Sequence, residues 1–214
     1  MSIAQRERAA LVATLRDVGP DAPTLCEGWT TRDLAAHLMI REYRPDAAPG
    51  ILIPRFASRT ATVQNSVAAG AASQPGWDAL VGKIASGPPL YSPFKLFDAV
   101  ANVSEMFIHH EDVLRAQPGW TPRTLAPDLA AQLRRGLPLM GRLTLSKIPG
   151  RVTLRTPDGA TVLTAGADKA HGPAVTVTGL PGELLLFGFG RLAKVDFDGD
   201  PAAVQAVRDA PKGF

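Results

Sequence analysis

Between Pro93 and Pro118 the chain has neither glycine nor proline. The run Phe94 to Gln117 is long enough for about six turns of α-helix at 3.6 residues per turn. Residues four and seven apart share one side of a helix, so Glu105, His109 and Asp112 point the same way. A carboxylate and an imidazole one turn apart is half of a helical metal site, the spacing that zinc-binding helices use. His110 is the rival ligand, but it lies about 100° further round the helix, so neighbouring histidines do not face one pocket. The pattern favours His109. Taken alone, an acid four residues before a histidine more often marks a surface pair worth a few tenths of a kcal/mol. A third ligand from another element decides between the two.

That ligand has a candidate near the N-terminus. Residues 2–18 read as a first helix with Ile3, Ala10 or Leu11, Leu15 and Val18 along an apolar seam and Arg6, Glu7, Arg8, Arg16 and Asp17 on the other side, ended by Gly19-Pro20. A loop then leads to Thr30-Thr-Arg-Asp33, the spacing of a capping box, and to a second helix carrying Leu34, His37 and Leu38 before Pro45. Antiparallel packing of this helix on the later one sets His37 across from Glu105 and His109. Asp33, one turn before His37, is a further possible ligand, although closing the cap is its simpler role.

The remaining helices are expected from Pro54 through Ala69, over Trp77 to Ile84, and from Asp128 to about Leu145 with an interruption at Gly136-Leu-Pro138. The texture changes at Ile148-Pro-Gly150. Val152–Thr156 and Thr161–Thr164 flank Pro157-Asp-Gly159 and read as a hairpin; Ala174–Thr178 and Val195–Phe197 are further strands. Short helices are expected over Gly182–Phe189 and over residues 201–209, the last capped by Asp200. Helices first, then strands with short helices, make an α+β chain: a helical bundle over residues 1–148 and a small α/β domain over 149–214. The Gly-Phe-Gly at 188–190 lacks the strand-to-helix context of a dinucleotide loop.

Composition narrows the function classes. Hydrophobic content of 45% and charged content of 20% describe a soluble globular protein. No stretch approaches the roughly 18 apolar residues of a membrane span, and the N-terminus lacks the apolar core of a secretory signal. The lone cysteine, Cys26, excludes an internal disulfide and suits a reducing cytoplasm. It reads as a small hydrophobe beside Trp29. The net charge of +3 is mild for a nucleic-acid binder. Arg134, Arg135, Arg142, Lys147, Arg151 and Arg155 form an acid-free basic stretch, read as a solvated face with anionic-substrate steering as the alternative.

Two motifs carry a resemblance. Thr24-Leu-Cys-Glu-Gly-Trp29-Thr-Thr-Arg-Asp33-Leu-Ala-Ala-His37-Leu resembles the second-helix signature of the mycothiol-dependent maleylpyruvate isomerase family, within the DinB-like four-helix-bundle superfamily. Glu105-x-x-x-His109-x-x-Asp112-Val-Leu-Arg115-Ala116 is similar to that family's second motif. The doubled histidine and acidic pair resemble an actinobacterial branch whose members are known only as metal-binding. The resemblance implies a DinB-like four-helix bundle, a C-terminal sterol-carrier-like α/β domain, and zinc or another divalent metal on His37, Glu105 and His109. It also implies an arginine of the C-terminal domain serving the active site, matched here by Arg191.

Two histidines and one carboxylate leave zinc at least one open position, the pattern of catalytic sites. A small thiol there, mycothiol by the resemblance, loses its proton and becomes a nucleophile. The expected function is thiol transfer or thiol-assisted isomerisation of a small electrophile in the cytoplasm, by a monomer or homodimer without nucleic acid or membrane as partner. The alternatives are a non-catalytic metal- or small-ligand-binding protein and a metal-dependent hydrolase, in which the open position holds water.

Overall fold

The computed structural model describes residues 1–51, 53–92 and 99–213, with the backbone alone for 99–101. The chain divides into two compact units, Met1–Arg123 and Thr124–Phe214.

The first unit is helical: α1 (Ile3–Val18), α2 (Thr31–Tyr43), α3 (Ala57–Gly70), α4 (Gln74–Ala85) and α5 (Ala99–Leu114). The starts of α1, α2 and α4 have a chemical cause. The Ser2 hydroxyl accepts from Gln5 N at 3.2 Å while Gln5 Oε1 accepts from Ser2 N at 2.8 Å, a reciprocal cap on α1. Asp33 Oδ2 accepts from Thr30 N at 2.9 Å and closes the first turn of α2. Ser73 caps α4 through Gly76 N. A 3-10 turn over Pro54–Phe56 precedes α3, which therefore begins later than Pro54. The expected beginning of α5 at Phe94 lies outside the described residues.

Helix α1 packs on α4 and α5, and α2 on α3 and α4. Leu11, Leu15, Leu34, Leu38, Ile84 and Met106 form a shared core, with Trp77 and Val113 also buried in it. Leu11 and Leu15 fall on the expected seam. Glu7 and Arg8, expected on the polar side of α1, are instead buried at 5% and 7% exposure. Each is held by ion pairs: Arg8 with Glu42, and Glu7 with Arg123. Paired and hydrogen-bonded charge is the form in which such groups tolerate burial.

The second unit holds α6 (Pro127–Thr144), β1 (Arg151–Arg155), β2 (Thr161–Ala165), β3 (Ala174–Thr178), α7 (Pro181–Gly188), β4 (Asp196–Gly199) and α8 (Pro201–Asp209). The sheet runs β2-β1-β3-β4, with β1 antiparallel to β2 and parallel to β3, and β3 antiparallel to β4. Val152, Leu154, Leu163, Ala165, Val175 and Val177 are its buried residues, at alternating positions as the pleat requires. Helix α6 packs on α7 and β2. It therefore clusters with the sheet rather than with the helices before it, and the boundary expected after residue 148 falls inside this unit.

Helix α6 also runs unbroken through Pro138, where an interruption is expected. Proline removes one N–H and strains one turn. Burial of Leu129, Leu133, Leu137 and Gly141 along a single face holds the helix on both sides of it. No helix among the described residues is long and apolar enough to cross a membrane.

Candidate metal centre

Helix α2 carries His37 and helix α5 carries Glu105 and His109, and the ligand atoms of these three lie within 4.8 Å of one another. The spacing of four residues brings His109 Nε2 to 3.2 Å from Glu105 Oε1, and His37 Nε2 lies 3.5 Å from the same oxygen. The two imidazoles meet edge to face with ring centroids 5.2 Å apart, and Trp29 packs on His37 at 5.3 Å. Both histidines are 8% exposed, while the Glu105 side chain keeps 24% of its surface. The site thus opens on the carboxylate side.

Charge is distributed unevenly here. Burial presses the Glu105 carboxyl upward, but the Arg41 guanidinium and hydrogen bonds with His109 and His37 outweigh it and hold Glu105 well below the usual carboxylate range. Arg41 Nε is 3.4 Å from Glu105 Oε1, and its Nη1 donates to Asn102 Oδ1 at 3.2 Å. Burial lowers His37 more than its hydrogen bond to Glu105 raises it, with the His109 charge adding to the lowering. Burial also disfavours charge on His109, yet hydrogen bonds with Asp112, Cys26 and Glu105 hold it well above the ordinary histidine value. Two imidazole nitrogens and an ionised carboxylate around one point are a donor set for a divalent cation, so the residues present fit a metal.

Asp112, fully buried, lies behind His109. Its Oδ2 is 3.1 Å from His109 Nδ1 and accepts from Cys26 Sγ at 3.2 Å. Cys26, expected as an apolar filler, does pack against the core but is half-buried and makes a polar contact; Cys26, His109 and Asp112 are a second close donor group.

His110 turns to the opposite side of α5. Its Nε2 is 2.9 Å from Thr14 Oγ1 and its Nδ1 2.9 Å from Glu7 Oε1. Glu7 and Glu111 both pair with Arg123, at 2.7 and 2.6 Å, and Glu111 also pairs with Arg115 at 2.6 Å. This buried network ties α5 to α1 and fastens the end of the first unit.

Arg191 belongs to the second unit, where its Nη1 donates to the Phe189 carbonyl at 3.0 Å. Within the basic stretch, Arg134 pairs with Asp158 at 3.1 Å on the surface. A separate cavity of about 590 Å³ in the first unit is lined by Gln5, Arg8, Arg16, Ser86 and Asn102 among others. Its lining does not include His37, Glu105 or His109.

Sequence reasoning missed Arg41, although it stands four residues after His37 and the rule that linked Glu105 to His109 places it on the same face. It missed the contact of Cys26 with Asp112 because that depends on a loop's path.

Residues 2–48 match the family model described as the mycothiol maleylpyruvate isomerase N-terminal domain. No curated protein gives a significant match. Among solved structures, the chain is similar to a crystal structure of the mycothiol-dependent maleylpyruvate isomerase at 16% identity and a TM-score of 0.48. It is similar to a mutant of that enzyme at 14% identity and the same score; both alignments cover 92% of this chain and 91% of the other. The matched residues include His37 and the loop before its helix, so the likeness to mycothiol maleylpyruvate isomerase N-terminal domains rests on this N-terminal part of the chain.

Proposed function

We propose that His37, Glu105 and His109 hold a zinc ion and that the chain is an enzyme of thiol transfer or thiol-assisted isomerisation. It acts on a small electrophile, with mycothiol as the thiol. The observation that carries this reading is the convergence of two imidazoles and one ionised carboxylate from two helices on a point open on one side. The family of residues 2–48 supports the choice of thiol. Cytoplasmic location, and a monomer or homodimer without nucleic-acid or membrane partner, belong to the same proposal. Arg191 is retained in it as the group for an anionic substrate.

Bound there, zinc would supply a Lewis acid that deprotonates a coordinated thiol. The chain's own residues prepare for this. Asp112 Oδ2 accepts a hydrogen bond from His109 Nδ1–H, which orients the ring and assigns Nε2, beside Glu105, as the nitrogen that would bind the metal. Burial keeps His37 neutral, the form in which imidazole binds metal. Arg41 keeps Glu105 ionised. Trp29 covers one side of His37 and limits access of water.

Metal analysis of purified protein tests the site. His37→Ala and His109→Ala should lose zinc and His110→Ala should retain it; an unchanged content in His109→Ala overturns the assignment. Mycothiol consumption against a panel of electrophiles then tests the chemistry. Zinc-loaded protein that consumes no thiol with any of them removes the enzyme and leaves a binding protein.

A further inference from the structure

We propose that Cys26 is a positioning residue for the metal centre, acting on His109 through Asp112 and through its own contact with the imidazole. This rests on the zinc reading of His37, Glu105 and His109 and extends it to a residue outside the ligand set.

The argument begins with one oxygen. Asp112 Oδ2 lies 3.1 Å from His109 Nδ1 and 3.2 Å from Cys26 Sγ, so an imidazole N–H and a thiol S–H converge on it. A carboxylate behind a ligating histidine fixes the ring's tautomer and orientation. Asp112 is fully buried and can do this only while its own orientation is fixed. The thiol supplies a further restraint on the same oxygen.

The backbone shows that the thiol is placed rather than adventitious. Leu25 N donates to the Asp112 carbonyl at 2.9 Å, which ties the loop to α5 at the residue whose side chain Cys26 meets. Thr24 Oγ1 accepts from Cys26 N at 3.2 Å and donates to the Trp29 carbonyl at 2.9 Å, and Pro23 bridges Thr30. One short loop thereby delivers Cys26 to the back of His109 and Trp29 to the face of His37. It links the ligands of both helices.

A thiol that merely fills space and one that donates a hydrogen bond respond oppositely to two small substitutions. Serine keeps a donor and is poor filler in an apolar setting; alanine removes the donor and suits that setting. Zinc affinity, measured by competition with a chromophoric chelator, should fall several-fold in Cys26→Ala. That is short of the roughly 10–100-fold that loss of a partner carboxylate costs. Cys26→Ser should stay close to wild type. Affinity equal in wild type and Cys26→Ala, or lower in Cys26→Ser than in Cys26→Ala, overturns the proposal.

Cobalt substitution of the wild type provides a measurement without any variant. The expected spectrum lacks a near-ultraviolet thiolate-to-cobalt band. Its presence makes Cys26 a ligand and overturns the positioning role. Wild-type protein that binds neither zinc nor cobalt removes the metal reading itself, whereas normal wild-type binding with the wrong order of variants removes only the role of Cys26.

Discussion

Glu7 shows how much one buried carboxylate governs. Burial would raise its pKa, but hydrogen bonds with His110 and Arg123 and the charge of Arg123 outweigh it and hold the group below the ordinary glutamate value. The folded-state pKa is depressed, so the associated stability is fully present above the unfolded value of about 4.3 and is lost as pH falls through the lower folded value. Glu7→Gln should cost about 3 kcal/mol near neutrality, because Arg123 loses one of its two carboxylates and His110 loses a charged acceptor. The cost should shrink in acid, and urea melts at neutral pH and at about pH 3.5 measure both. An equal cost at both pH values contradicts the linkage. At this scale the closeness of His109 to Glu105 was legible because helical spacing is rigid. Glu7 was not, since its charge reads as a surface residue until its partners from α5 and the loop after it are in place.

Among the elements of the second unit, β2 ends at a close backbone approach, at Gly166. Its φ of +117° is a conformation that side chains rarely adopt, and an added Cβ would run into the Gly150 carbonyl. Gly166→Ala should cost about 2–4 kcal/mol, whereas Gly159→Ala, strained in φ at +86° but with open space around it, should cost less. Thermal melts of the two variants check the order. The hairpin was readable from Thr-Pro-Asp-Gly between alternating strands because a tight turn is local. The parallel pairing of β1 with β3 was not, since it is set by where α6 and α7 pack. The same holds for Pro138: a local rule ends the helix there, and burial on one face overrides it.

Across the whole chain, the three candidate ligands belong to the first unit and the sheet to the second. Zinc should therefore slow amide exchange in α2 and α5 and leave β1–β4 unchanged; protection that appears only in the sheet contradicts the site. A ligand at a hundred times its dissociation constant adds about 2.7 kcal/mol to the folded state. Removal by a chelator should then lower the melting temperature of the first unit by on the order of 10 °C. The order of helices before strands was visible in the sequence. The division was less so, because α6 is amphipathic and nothing in its own residues says which neighbour will cover its apolar face.

His109 and His110 are adjacent letters whose side chains serve opposite sides of one helix. In a screen that scores only survival, loss of either would register as the same defect, and a sequence profile would show two equally intolerant columns. Soluble yield would separate them. His110 variants should give a lower soluble yield yet keep their metal, because Glu7 and Thr14 each lose one partner, whereas His109 variants should accumulate as folded, metal-free protein. A pattern built to find relatives of this chain does better to weight the two histidines independently than to treat the doubled residue as one feature.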